Sequence, residues 1–134
     1  MGAQFTILLE ASGPVIANAR HLAVDFLDTK VADDGTPVSM RTRDITQLVV
    51  SELVTNARKY APGPVRLELS IHESMMEIAV WDTNPTLPSP RPANPDRIGQ
   101  HGLEIVKALA DTFDSRPEPG GKRVSAHISH PYRP

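Results

Sequence analysis

The sequence predicts an α+β fold, a two-layer α/β sandwich in which a mixed, mostly antiparallel sheet is covered on one face by three helices. Apolar residues recur at helical spacing in some segments and alternate with polar residues in others, so the two kinds of element separate cleanly along the chain. Their order is β α α β β, a loop, then α β β, with no internal repeat and without the strand-helix alternation of a parallel sheet. The 134 residues suffice for one core of two packed layers, so a single domain spanning 1–134 is expected.

Gln4 to Glu10 reads as the first strand. Ser12-Gly13-Pro14 then offers a helix start, with proline where its missing N–H does no harm. Val15, Ile16, Ala19, Leu22, Ala23, Phe26 and Leu27 mark the inward face of that helix. Ala32 to Ser39, with Asp33-Asp34-Gly35-Thr36-Pro37, reads as a turn or loop, and a second helix runs from about Met40 to Tyr60 until Pro62-Gly63-Pro64 stops it. Val65, Leu67, Leu69 and Ile71 alternate with Arg66, Glu68 and Ser70, and Met76, Ile78 and Val80 alternate with Glu77 and Ala79. His72-Glu73-Ser74 closes these two strands as a hairpin. Pro85, Pro88, Pro90, Pro92 and Pro95 keep the stretch from Pro85 to Arg97 out of any helix or inner strand, so it is a long loop. Gly99 to Ala110 reads as the third helix with Leu103, Val106 and Leu109 inward. Phe113 to Arg116 and Lys122 to Ile128 form a last hairpin around Pro119-Gly120-Gly121.

A formal net charge of −2 gives no electrostatic drive toward nucleic acid or anionic membrane, and 4% aromatic residues leave no stacking platform for single strands. The absence of cysteine excludes disulfides and thiol chemistry. Met1 to Glu10 lacks the basic region and apolar run of a signal peptide, and no segment is apolar for long enough to span a membrane, so a cytoplasmic protein is expected. His21, His72, His101, His127 and His130 show no metal-ligand spacing, and Ser51 and Thr55 have no triad partners, which argues against zinc and against a serine nucleophile.

The chemistry concentrates in Glu52-Leu53-Val54-Thr55-Asn56-Ala57-Arg58-Lys59-Tyr60-Ala61. Ile45, Leu48 and Val49 form an apolar stripe, and Glu52 and Asn56 fall within it, so both are expected to point inward. An unpaired buried carboxylate costs several kcal/mol, so such a face must end at a polar cavity that uses both groups. Two further segments suit a nucleotide: Asp82 follows the strand ending in Trp81, and Gly99-Gln100-His101-Gly102 opens a helix. A carboxamide oxygen such as that of Asn56 suits Mg²⁺, a carboxylate accepts from an exocyclic amine, and glycine N–H groups at a helix start hold phosphate. Taken singly, Asp82 also reads as a turn former and Gly99 and Gly102 as a tightly packed helix start.

Together these residues resemble the GHKL ATPase superfamily, and within it the anti-sigma factor and serine-protein kinase group of stand-alone ATP-binding regulators. Glu52-Leu53-Val54-Thr55-Asn56-Ala57 resembles the N box of that family. Val80-Trp81-Asp82 resembles its first glycine box, and Gly99-Gln100-His101-Gly102-Leu103-Glu104-Ile105-Val106 its second. The resemblance implies ATP and Mg²⁺ as cofactors. It implies that Glu52 is the general base, that Asn56 coordinates Mg²⁺ and that Asp82 reads the adenine amine. Lys59, two turns beyond Glu52, would approach phosphate, and Asn84, Gly99, His101, Gly102 and Leu103 would line the nucleotide beneath a lid formed by residues 85–98. It further implies a sigma factor or a small anti-sigma antagonist protein as partner, phosphoryl transfer to a serine of that antagonist, and homodimerisation. The chain departs from the family in two places. Asp82-Thr83-Asn84-Pro85 has neither glycine of the Asp-x-Gly-x-Gly pattern, and His101 stands where arginine is frequent. These departures keep a second reading open, in which the fold serves as a catalytically inactive interaction module.

Overall fold

The protein is described by a computed structural model covering residues 3–9, 14–34, 38–60, 64–72, 75–83 and 102–129. Its elements are β1 (Ala3–Leu9), α1 (Val15–Asp34), α2 (Met40–Tyr60), β2 (Val65–His72), β3 (Met75–Asp82), α3 (Gly102–Leu109), β4 (Thr112–Glu118) and β5 (Gly121–Ser129). The strands form one sheet in the order β1-β2-β3-β5-β4, and each neighbouring pair is antiparallel, so the expectation of a mixed sheet resolves to a wholly antiparallel one. Short connections account for the β2–β3 and β4–β5 pairs, since a hairpin can only pair antiparallel strands.

The period-two pattern sorts the sheet into two faces. Leu67, Leu69 and Ile71 of β2, Met76, Ile78 and Val80 of β3, and Val124, Ala126 and Ile128 of β5 are buried beneath the helices. The opposite face carries charge. Arg123 of β5 binds Glu77 at 2.9 Å and Glu68 at 3.3 Å, and His127 Nε2 lies 2.7 Å from Glu77. Partial burial alone would lower the pKa of Arg123, but hydrogen bonds and charge from Glu77 and Glu68 outweigh it and raise the net value. Trp81 lies on this face too, with the Arg66 guanidinium 5.1 Å from its ring centroid.

α2 is the central helix of the second layer, packed against α1, α3 and strands β2, β3 and β5. Ser39 caps it: its Oγ accepts from the Thr42 N–H at 3.0 Å, and Arg58 and Lys59 in the last turn complement the helix dipole. On α1 the buried line is Val15, Ala19, Ala23 and Leu27, one residue per turn, and the two alanines allow close approach to α2. Ile16, expected inward, is 38% exposed because it sits a quarter-turn off that line. Phe26 meets Phe5 of β1 with ring centroids 6.2 Å apart.

Some boundaries move. The first strand is Ala3–Leu9 rather than Gln4 to Glu10, with Glu10 outside the described residues. α1 continues to Asp34, into the stretch read as a loop, because nothing before Gly35 opposes a helix. The third helix begins at Gly102, and residues 99–101 of its expected start lie outside the described set. β4 and β5 extend beyond the apolar runs that mark them, meeting at Glu118 and Gly121. Gly120 at this turn has φ 81°, a backbone conformation open to glycine at no steric cost. Among the described residues no helix is long and apolar enough to cross a membrane.

Candidate functional site

Glu52 and Asn56 stand one turn apart on α2, as their spacing requires, but not at the centre of its buried face. The fully buried residues are Thr46, Val49, Val50, Leu53, Val54 and Ala57, while Leu48, expected in the stripe, is 38% exposed. Packing on both α1 and the sheet moves the centre of the buried arc toward Val50 and Val54. The inward expectation is therefore corrected: Glu52 and Asn56 occupy one flank of the helix and are half-buried. A half-buried flank suits a binding surface better than a core position does. There both groups keep contact with solvent and need no internal partner. Lys59 is exposed near the end of α2.

Asp82 ends β3 on the face that the helices cover, and it is fully enclosed. Directly opposite it in the β3–β5 ladder stands Lys122, itself only 1% exposed. The Lys122 ammonium lies 3.1 Å from Asp82 Oδ1 and 3.0 Å from Oδ2. This cross-strand pair escapes sequence reading, since a lysine after Gly-Gly at a hairpin end reads as a solvated charge. The signal that could have found it is the alternation of β5, where Lys122 shares the inward parity of Val124, Ala126 and Ile128. Gly121 completes the contact. A Cβ there would stand 1.8 Å from the Asp82 carbonyl oxygen, so only glycine lets the strands approach this closely.

α3 begins at Gly102, and its second residue, Leu103, is buried at the edge of the core while α3 packs against α2. Asn84, Gly99, His101 and the proline-rich segment 85–98 lie outside the described residues. The structure thus joins Asp82 to Lys122 directly, and it places Glu52 with Asn56 on the helix that packs over the strand carrying Asp82. The cleft between β1 and α1, lined by Leu9, Val15, Asn18, His21 and Leu22 among others, is built from none of the predicted site residues.

Among the described residues no group of three His, Asp or Glu side chains is placed to hold a metal ion. The donor set present is one carboxamide with a carboxylate a turn away. That fits Mg²⁺, which retains several waters and is shared with substrate phosphates rather than caged by protein. The carboxylate of Asp82 is an acceptor, which fits the exocyclic amine of a base.

A search of curated proteins finds no match to this chain. Residues 15–128 match the family model described as the histidine kinase-like ATPase domain, which spans α1 to the penultimate residue of β5 and includes Glu52, Asn56, Asp82 and Lys122. The antiparallel sheet with three helices on one face agrees with that fold. The chain belongs to the histidine kinase-like ATPase domain family, of the GHKL type.

Proposed function

We infer that this protein binds ATP with Mg²⁺ and acts as a regulator of the anti-sigma type, transferring the γ-phosphoryl group to a serine of a small antagonist protein. The observation that carries the reading is the pairing of Glu52 with Asn56 on the flank of α2, the helix packed over the strand that ends in Asp82. Family membership over residues 15–128 supports the nucleotide. In the sequestering state the partner is a sigma factor, and a homodimer is the assembly the group favours.

Each residue has a role of its own. Asp82 accepts a hydrogen bond from the adenine amine and orients the base. The Asn56 carboxamide oxygen and the phosphates hold Mg²⁺, which neutralises phosphate charge when bound. Backbone N–H groups at the start of α3, at Gly102 and Leu103, face the phosphates, and Lys59 approaches them from the end of α2. Glu52 takes the proton from the attacking serine hydroxyl as the new O–P bond forms and the bond to the β-phosphate oxygen breaks, leaving ADP.

Calorimetric titration with ATP, with and without Mg²⁺, tests the reading. Saturable binding that depends on Mg²⁺ is expected, and no binding at millimolar ATP overturns it. A second reading, a catalytically inactive interaction module, is favoured by the enclosure of Asp82 with Lys122 and by Asn84-Pro85 in place of the glycine box. Tight partner binding indifferent to ATP is its signature.

A further inference from the structure

Lys122 is among the largest side chains that this fold buries completely, and its charge needs a reason. Enclosing an ammonium and a carboxylate strips both of hydration that their mutual attraction only partly returns, and an apolar pair of similar volume often serves stability as well or better. Core stability is therefore a weak account of the Asp82–Lys122 pair. The geometry around it is also closely constrained. The ammonium spans both carboxylate oxygens at 3.1 and 3.0 Å, and Gly121 brings the next strand against the Asp82 carbonyl oxygen, so side chain and main chain of Asp82 are held from consecutive residues of β5.

We propose that Lys122 is a positioning residue for base selection: its ion pair holds the Asp82 carboxylate in one orientation and thereby disfavours 6-oxopurines in the nucleotide site. This rests on the nucleotide reading above. An ionised carboxylate only accepts hydrogen bonds, so it matches the exocyclic amine of adenine and repels the keto oxygen of hypoxanthine. A neutral carboxyl or an amide in the same place can also donate, and it tolerates either base. Without the Lys122 ammonium across its two oxygens, the Asp82 carboxylate loses the contact that fixes its orientation.

The test is calorimetric titration of the purified protein and its variants with ATP and with inosine triphosphate, both with Mg²⁺. The native protein is expected to prefer ATP by about thirtyfold, the discrimination of one hydrogen bond to a charged acceptor. Lys122→Met weakens ATP binding at least about tenfold while inosine triphosphate changes little, so the preference collapses. Lys122→Arg, which keeps the charge, restores the preference to within about threefold of native. Lys122→Ala, which leaves room for water beside Asp82, covers the case in which Lys122→Met alone fails to fold; its preference falls in the same way. A folded Lys122→Met or Lys122→Ala variant that keeps the native preference overturns the assignment of Lys122 and leaves ATP binding intact. Native protein that binds neither nucleotide overturns the nucleotide reading and this assignment with it.

Discussion

Gly121 passes so close to Asp82 that a single added methyl group would stand 1.8 Å from the Asp82 carbonyl oxygen, well inside van der Waals contact. The atom it meets is backbone at the last pair of the β3–β5 ladder, not the far end of a flexible side chain, so relief requires the strands themselves to shift. Gly121→Ala is accordingly expected to cost about 3 kcal/mol or more, read as a lowered urea midpoint. A loss below about 1 kcal/mol would show that β3 and β5 can separate here without penalty.

Glu52 lies half-buried on a helix flank, where it makes no contribution to the core. Glu52→Gln keeps shape and removes the carboxylate proposed as the base. The proposed phosphoryl transfer to an antagonist serine is expected to fall at least about a hundredfold, with ATP affinity and thermal midpoint close to native. Transfer that survives the substitution removes Glu52 from the mechanism.

Asn56 is expected to act on the metal rather than on the base. Asn56→Ala should abolish the part of ATP affinity that depends on Mg²⁺, while binding measured in excess chelator stays the same. An equal loss in both conditions would assign Asn56 to the nucleotide or to helix packing instead.

Arg123 ties β5 to two carboxylates, from β2 and β3, on the face away from the helices. Arg123→Ala leaves Glu68 and Glu77 without their shared countercharge in a partly enclosed setting. The expected loss is about 1 kcal/mol, shrinking as salt screens the remaining charges, and it is read from denaturation midpoints at low and high ionic strength. Nucleotide affinity should be unaffected, since Arg123 and Asp82 lie on opposite faces of the sheet.

Much of this architecture is legible in the residues themselves, and the limits have physical causes. β2 announces itself because Val65, Leu67, Leu69 and Ile71 alternate so regularly, and α2 because Pro62 and Gly63 end a clear helical period. Single-residue orientation is harder. Leu48 and Ile16 are apolar and lie beside the buried lines, yet the arc of a helix that is covered depends on which neighbours pack on it. For the same reason Glu52 and Asn56 were placeable on one face but not at the right depth. Lys122 was the least visible, since its burial depends on a carboxylate forty residues earlier and on the register that sets the two opposite each other. The parity of β5 marks the position as inward, but lysine at that position reads as solvent-facing unless its partner is known.

That separation along the chain also bears on the order of folding. The Asp82 and Lys122 charges can shed their water only after β3 and β5 have met in register, and every residue of α3 and β4 lies between them in sequence. This closure is expected to follow the local β2–β3 and β4–β5 hairpins, so Lys122→Met should speed unfolding more than it slows folding, as read from the two limbs of a chevron. The clasp between these two strands is therefore a kinetic one. It sets how long the assembled fold persists more than how quickly it forms.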